Sequence, residues 1–151
     1  MEEIRQKEQK LYLGKPKIEL FTWSRIGDID GNDLYLCDTT VCYSTFGESN
    51  DYMSSIVRKK CLEFYKEFLT NEERNHLINH PDICDPVFLL SEDECTSCRS
   101  KIDSMKPLNW LRSPGHHDSH VAFACPGGEV FHINLRDTKT FIRPAIILKK
   151  G

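Results

Sequence analysis

A change of hydrophobic period at residue 51 constrains this chain more than any other feature of it. Met53, Val57, Cys61, Phe64, Tyr65 and Phe68 recur at helical spacing, while Arg58, Lys59, Glu63 and Lys66 fall on other faces. The spacing predicts a helix over about 51–69, capped by Ser49, Asn50 or Asp51. Thr70-Asn71-Glu72-Glu73 is a capping-box pattern that opens a second helix, running to about His80 where Pro81 stops it. Ser91-Glu92-Asp93-Glu94 repeats the pattern and predicts a third short helix carrying Cys95 and Cys98.

On either side of this helical middle the pattern is that of strands. KIELFTW (17–23) and LYLCD (34–38) flank the turn residues GDIDGND (27–33) and read as a hairpin; VCYSTFG (41–47) is a short strand or extended loop. VFLL (87–90), WLRS (110–113), HVAFAC (120–125), EVFHINL (129–135) and FIRPAIIL (141–148) supply the rest. Strands at both ends with helices between predict an α+β domain whose first and last strands are free to pair. Residues 1–16 read as a polar lead-in and 17–151 as a single domain.

Charge and cysteine usage narrow the classes. A net charge of −3 gives no global basic field, so nothing points strongly to nucleic acid or to an anionic membrane. No apolar stretch reaches the roughly 20 residues of a membrane span, and the charged N-terminus is no secretory signal. Seven cysteines, an odd number without such a signal, read as reduced thiols. The expected location is the cytoplasm, that of a host if the chain is phage-encoded.

The order W-x-R-I-G (23–27), S-x-I-V-R-K (55–60), V-F-L-L-S (87–91), W-L-R-S-P-G (110–115) and R-P-A-I (143–146) resembles an uncharacterised bacterial and phage family of C-type-lectin-like domains. That group is distantly related to the formylglycine-generating, sulfatase-modifying fold. The resemblance covers about residues 17–149. It implies a C-type-lectin-like fold with antiparallel sheets, paired terminal strands (KIELFTW with FIRPAIIL) and two to three helices. It also implies Trp110 and Leu111 in the core, Arg112 and Arg143 near the strand junction, and Pro144 at a strand edge or bulge. The E-P-N or Q-P-D loop and W-N-D strand of calcium-dependent lectins do not occur here, so no calcium is expected. Beyond Cys98 only Cys125 remains, short of the cysteine pair that formylglycine-generating oxidation needs.

Two clusters are chemically suggestive. His76 and His80 stand four apart on the second predicted helix, and Cys95-x2-Cys98 follows, with Cys84 between. His80, Cys84, Cys95 and Cys98 are therefore the candidate ligands of a structural zinc site; no other cofactor is expected. The second cluster, His116, His117, Asp118 and His120, follows the Pro-Gly turn of NWLRSPGHHDSHVAFAC (109–125). His, Asp and Ser within one loop do not make a triad, whose members converge from separate segments. His132, on the next strand, is positioned to reach His120 across a hairpin and form a second metal site. GDIDGND lacks the later bidentate glutamate of a calcium loop and reads as a turn.

Three functions follow in order of preference. The first is a non-enzymatic recognition module that binds a protein or small ligand through His116, His117, Asp118, His120 and Arg112. The loops at about 26–33, 47–51, 101–109 and 115–120 would present that surface. Size and family context suggest a phage or mobile-element protein that inhibits a host factor. The second is a zinc-stapled accessory protein, and the third an enzyme using the loop histidines.

Overall fold

A computed structural model describes residues 10–14, 21–102, 108–125 and 129–150. In chain order the strands are β1 (Lys10–Tyr12), β2 (Thr22–Ile29), β3 (Asn32–Cys37), β4 (Cys42–Thr45), β5 (Leu77–Ile78), β6 (Asn109–Pro114), β7 (His120–Ala124), β8 (Val130–Asn134), β9 (Lys139–Ile142) and β10 (Ala145–Leu148). The helices are α1 (Ile56–Phe68), α2 (Asn71–His76) and α3 (Glu92–Ser97). The architecture is α+β. One sheet has the order β1-β2-β3-β10-β5 and the other β4-β9-β6-β7-β8. All pairings are antiparallel except β6 with β9. No described helix is long and apolar enough to cross a membrane.

Local chemistry accounts for most boundaries. Ser55 caps α1 by accepting a hydrogen bond from the Arg58 amide, and Asp51 caps a short turn of 3₁₀ helix just before it. Thr70 with Glu73 and Ser91 with Glu94 both form complete capping boxes. The second helix nevertheless ends at His76 rather than near His80, because Leu77 and Ile78 leave it to pair with Leu148 and Ile147 of β10. The GDIDGND turn contracts to two residues, Asp30 and Gly31, both at positive φ (52° and 82°). Positive φ at both positions matches the twist of a two-residue hairpin.

The last strand pairs differently from the expectation. β10 lies between β3 and β5, whereas β2 pairs with β1 and β3. Residues 17–20 of KIELFTW are outside the described residues; Thr22 and Trp23, which are described, do not pair with FIRPAIIL. Composition explains the order: Leu34–Cys37 and Ala145–Ile147 are buried without interruption, so these strands take the interior of the sheet. FIRPAIIL itself divides at Arg143-Pro144, which part β9 of one sheet from β10 of the other. Pro144 has no amide to give to a ladder, yet its carbonyl accepts from the Cys37 amide at 2.9 Å. The buried Arg143 donates from Nε to the Cys37 carbonyl at 2.6 Å and fixes the crossing point.

Buried residues of both sheets feed two cores. One core gathers Trp23, Tyr35, Ile146, Trp110, Val121 and Ile142 against Val57, Cys61 and Phe64 of α1. The other gathers Ile26, Leu34, Leu36, Leu111, Ala122 and Ala124 around Cys95 of α3. VFLL (87–90) joins them. Its residues alternate, Val87 and Leu89 into the first core, Phe88 and Leu90 into the second. It forms no full strand: Phe88 exchanges two backbone bonds with Ala145, and the Leu90 carbonyl accepts from the Arg112 amide at 2.9 Å. Trp110 and Leu111 enter opposite cores, as adjacent strand residues must.

Candidate functional site

The loop between β6 and β7 is set by an irregularity in β6. Trp110 pairs with Phe123 and Pro114 with Val121, so β6 spends two more residues than its partner over this stretch. The surplus is diverted sideways. The Arg112 amide bonds to Leu90, and Ser113 Oγ accepts the Glu92 amide at 2.8 Å, so α3 is seated on β6. Gly115 then closes the hairpin, its amide donating to the His120 carbonyl at 2.8 Å. A Cβ at Gly115 would meet His120 Cβ at 2.6 Å and backbone carbon at 2.9 Å, so only glycine fits.

Between Gly115 and His120 the four residues 116–119 form the exposed end. His116, His117 and Asp118 are exposed, while Ser119 and His120 are half-buried. The histidines sort into two pairs. His117 lies against His120 with ring centroids 5.1 Å apart. His116 lies against His132 of β8 at 4.3 Å. His132 Nε2 is 2.9 Å from Glu92 Oε1, at the first turn of α3. His132 thus meets His116 and Glu92; the expected reach to His120 is not made, since the register sets Asn134 opposite His120 and His132 opposite Ala122. The 47–51 loop joins the same face, because Asn50 Nδ2 donates to the carbonyls of His117 and His120, both at 3.1 Å. The hairpin at 26–33 is tied instead to Lys150, whose Nζ is 3.3 Å from Asp28. Residues 103–107 of the fourth expected loop lie outside the described residues.

Arg112 does not join this surface. Its guanidinium turns inward to Glu94, with Nη1–Oε1 at 2.6 Å and Nη2–Oε2 at 2.9 Å, and donates to the Leu89 carbonyl at 2.7 Å. His80, almost fully buried, completes the group with Nε2 2.6 Å from Glu94 Oε2. Its Nδ1 accepts the Asp82 amide at 3.0 Å, which puts the ring proton on Nε2, facing the carboxylate. Burial opposes the charge on Glu94, but the hydrogen bonds from His80 and Arg112 outweigh it and hold the carboxyl at about 2. A second buried carboxylate, Asp85, receives Arg58 through Nε and Nη2 at 2.8 and 2.9 Å. These two ion pairs bind the 80–85 loop, α1, α3 and β6 into one frame.

The zinc candidates are dispersed through that frame. His80 is committed to Glu94 and Asp82. Cys95 is buried in the apolar core, its thiol pushed up to about 11 by burial and by Cys98. Cys98 Sγ packs against Gly27 of β2, and Cys84 is exposed at positive φ on the 80–85 loop. Among the described residues no group of three or more His, Cys, Asp or Glu side chains is placed to hold a metal ion.

Comparison with protein families, with curated proteins and with solved structures finds no match. The face itself therefore carries the functional reading. On β8, Phe131 pairs with Phe123 of β7 and stands 51% exposed. It borders a shallow depression of about 310 Å³ lined also by Glu92, Thr96, Arg99, Glu129 and Val130. Sequence reasoning found the 115–120 loop and the 47–51 loop that carries Asn50, but not Glu92 or Phe131. The one available signal was the position of Phe131 and His132 in an alternating strand, which puts them on opposite faces.

Proposed function

We propose that this chain is a non-enzymatic recognition module that binds a protein partner through the face built from loops 47–51 and 115–120 and the edge strand β8. The observation that carries the reading is the 51% exposure of Phe131 on the terminal strand of its sheet, bordering a depression lined by Glu92, Thr96, Arg99 and Glu129. An aromatic side chain at an open edge, ringed by polar groups, is the composition of a protein-binding patch. The support beneath is rigid: Gly115, Asn50 and the Glu94–Arg112 pair hold the loop's base, so little order has to be gained on docking. The α+β architecture with two sheets agrees with a C-type-lectin-like domain, and under that resemblance the partner is a host factor bound by a phage or mobile-element protein.

The test is capture from the native host with three baits: wild type, a face variant (His117→Ala with Phe131→Ser) and a distal variant (Glu72→Lys on α2). A partner held by wild type and the distal variant but released by the face variant is the expected result. Equal recovery by all three baits, or no enrichment by any, refutes the assignment.

A further inference from the structure

β8 ends its sheet, pairing with β7 alone, and with five residues it is the longest of the described edge strands. Its outer edge follows from two hydrogen bonds that flank it. The Cys125 amide donates to the Glu129 carbonyl at 2.7 Å, and the Leu135 amide to the Ser119 carbonyl at 2.8 Å. The register between them is unbroken, and bonded pairs in an antiparallel ladder recur at every second residue. Phe131 and Ile133 therefore bond to β7, and Val130, His132 and Asn134 turn their amides and carbonyls off the sheet. The Asn134 carbonyl accepts Thr138 Oγ1 at 2.9 Å. Among the described residues no hydrogen bond reaches the amides and carbonyls of Val130 and His132. Exposed edges are ordinarily blunted by lysine, proline or a bulge; Val130–Asn134 has none of these.

The surroundings of that edge define what fits it. Glu92 and Thr96 of α3, with Arg99 just after it, line the depression of about 310 Å³ together with Glu129, Val130 and Phe131. Its charged groups are two carboxylates and one guanidinium, and the Glu92 side chain is 41% exposed even while it meets His132. Val130 packs toward the second core and His132 toward Glu92, so Phe131 turns to the other face, its ring 6.2 Å from that of Phe123. An added strand would meet Glu92 on one face and Phe131 on the other. A second copy of the chain is the poorer occupant, because edge pairing would set Glu92 and Glu129 beside their own counterparts. We infer that β8 is a site of strand addition for an extended segment of the protein partner. The segment pairs with Val130 and His132 through main-chain hydrogen bonds, with a basic residue toward Glu92 and Glu129 and an apolar residue against Phe131. This rests on the recognition reading above and specifies the form of the partner's segment.

The test is titration of the ¹⁵N-labelled full chain with a short, end-blocked peptide of alternating lysine and valine, followed through the backbone amide spectrum. The comparisons are the same peptide with glutamate in place of lysine, and the variants Val130→Pro and Val130→Ala. Proline removes the outward amide of residue 130 without taking a bond from the β7 ladder, and alanine shows the cost of the side chain alone. The Val130 and His132 amides of the wild type should shift saturably. Affinity should be about tenfold or more weaker for the glutamate peptide than for the lysine peptide, and for Val130→Pro than for Val130→Ala. No saturable shift at about 1 mM peptide, shifts centred away from β8, equal affinity of the two variants or equal binding of the two peptides overturns the proposal. Shift mapping on the wild type decides the matter even where the proline variant does not fold. Sedimentation of the peptide-free chain completes the test: a dimer that Val130→Pro dissolves assigns the edge to a second copy and overturns addition by a partner. Failure here removes strand addition alone, since capture with the three baits tests the recognition face separately.

Discussion

Glu94→Gln isolates the buried ion pair on which the histidine loop rests. Glutamine keeps the size of the side chain and can still serve in the capping box with Ser91. It removes the charge that faces Arg112 at 2.6 and 2.9 Å. The Glu94 carboxyl is held at about 2 against an ordinary 4.5. At about 1.4 kcal/mol per tenfold, this amounts to roughly 3 kcal/mol of stability at pH 7. The side chain is only 17% exposed, so solvent screens little of that. Because the folded value is the lower one, the unfolded chain takes up the proton more readily. The contribution is complete above pH 4.5 and is lost as the pH falls toward 2. Urea unfolding followed by the emission of the buried Trp23 and Trp110 measures it directly. The variant should be about 3 kcal/mol less stable at pH 7 and at pH 5, with the gap narrowing to roughly half or less at pH 3 and nearly gone near pH 2. A loss under about 0.5 kcal/mol at pH 7, or a gap that persists unchanged at pH 3, refutes the reasoning.

Three further outcomes are expected. Gly115→Ala drives a Cβ into His120 at 2.6 Å and should cost about 1–3 kcal/mol, read as a lower urea midpoint. Trp110 Nε1 donates to the Ser44 carbonyl at 2.8 Å, whereas Trp23 Nε1 has no partner among the described residues. Trp110→Phe should therefore lose about 1–2 kcal/mol more than Trp23→Phe, measured in the same unfolding assay. Cys84 is exposed at φ 59°, so it should react first with a thiol reagent in the native protein. Cys84→Gly should be neutral or stabilising by up to about 1 kcal/mol.

Features governed by neighbours in sequence were legible before the structure. The two capping boxes, the Ser91 start of α3 and a turn within GDIDGND all follow from local rules. Features decided by partners far along the chain were not. α2 stops early because β10 offers Leu77 and Ile78 a ladder 70 residues away. FIRPAIIL reads as one strand, yet Arg143 and Pro144 divide it between two sheets. Arg112 is charged and sits next to an exposed loop, so a binding role was the natural reading; Glu94 and the Leu89 carbonyl draw it inward instead. His132 shows the same limit. Its face follows from strand alternation, but its choice of His116 and Glu92 depends on the bulge in β6 and the seat of α3.

Position-specific photocrosslinking in the native host tests the recognition surface most directly. A photoreactive phenylalanine analogue at Asp118 stands on the proposed face. The same analogue at Glu72 stands beyond the far end of α1, whose 13 residues span about 20 Å. The account predicts one dominant protein adduct from position 118, absent from position 72 and suppressed by Phe131→Ser. Adducts that are equal at the two positions, or indifferent to the loss of Phe131, would contradict it.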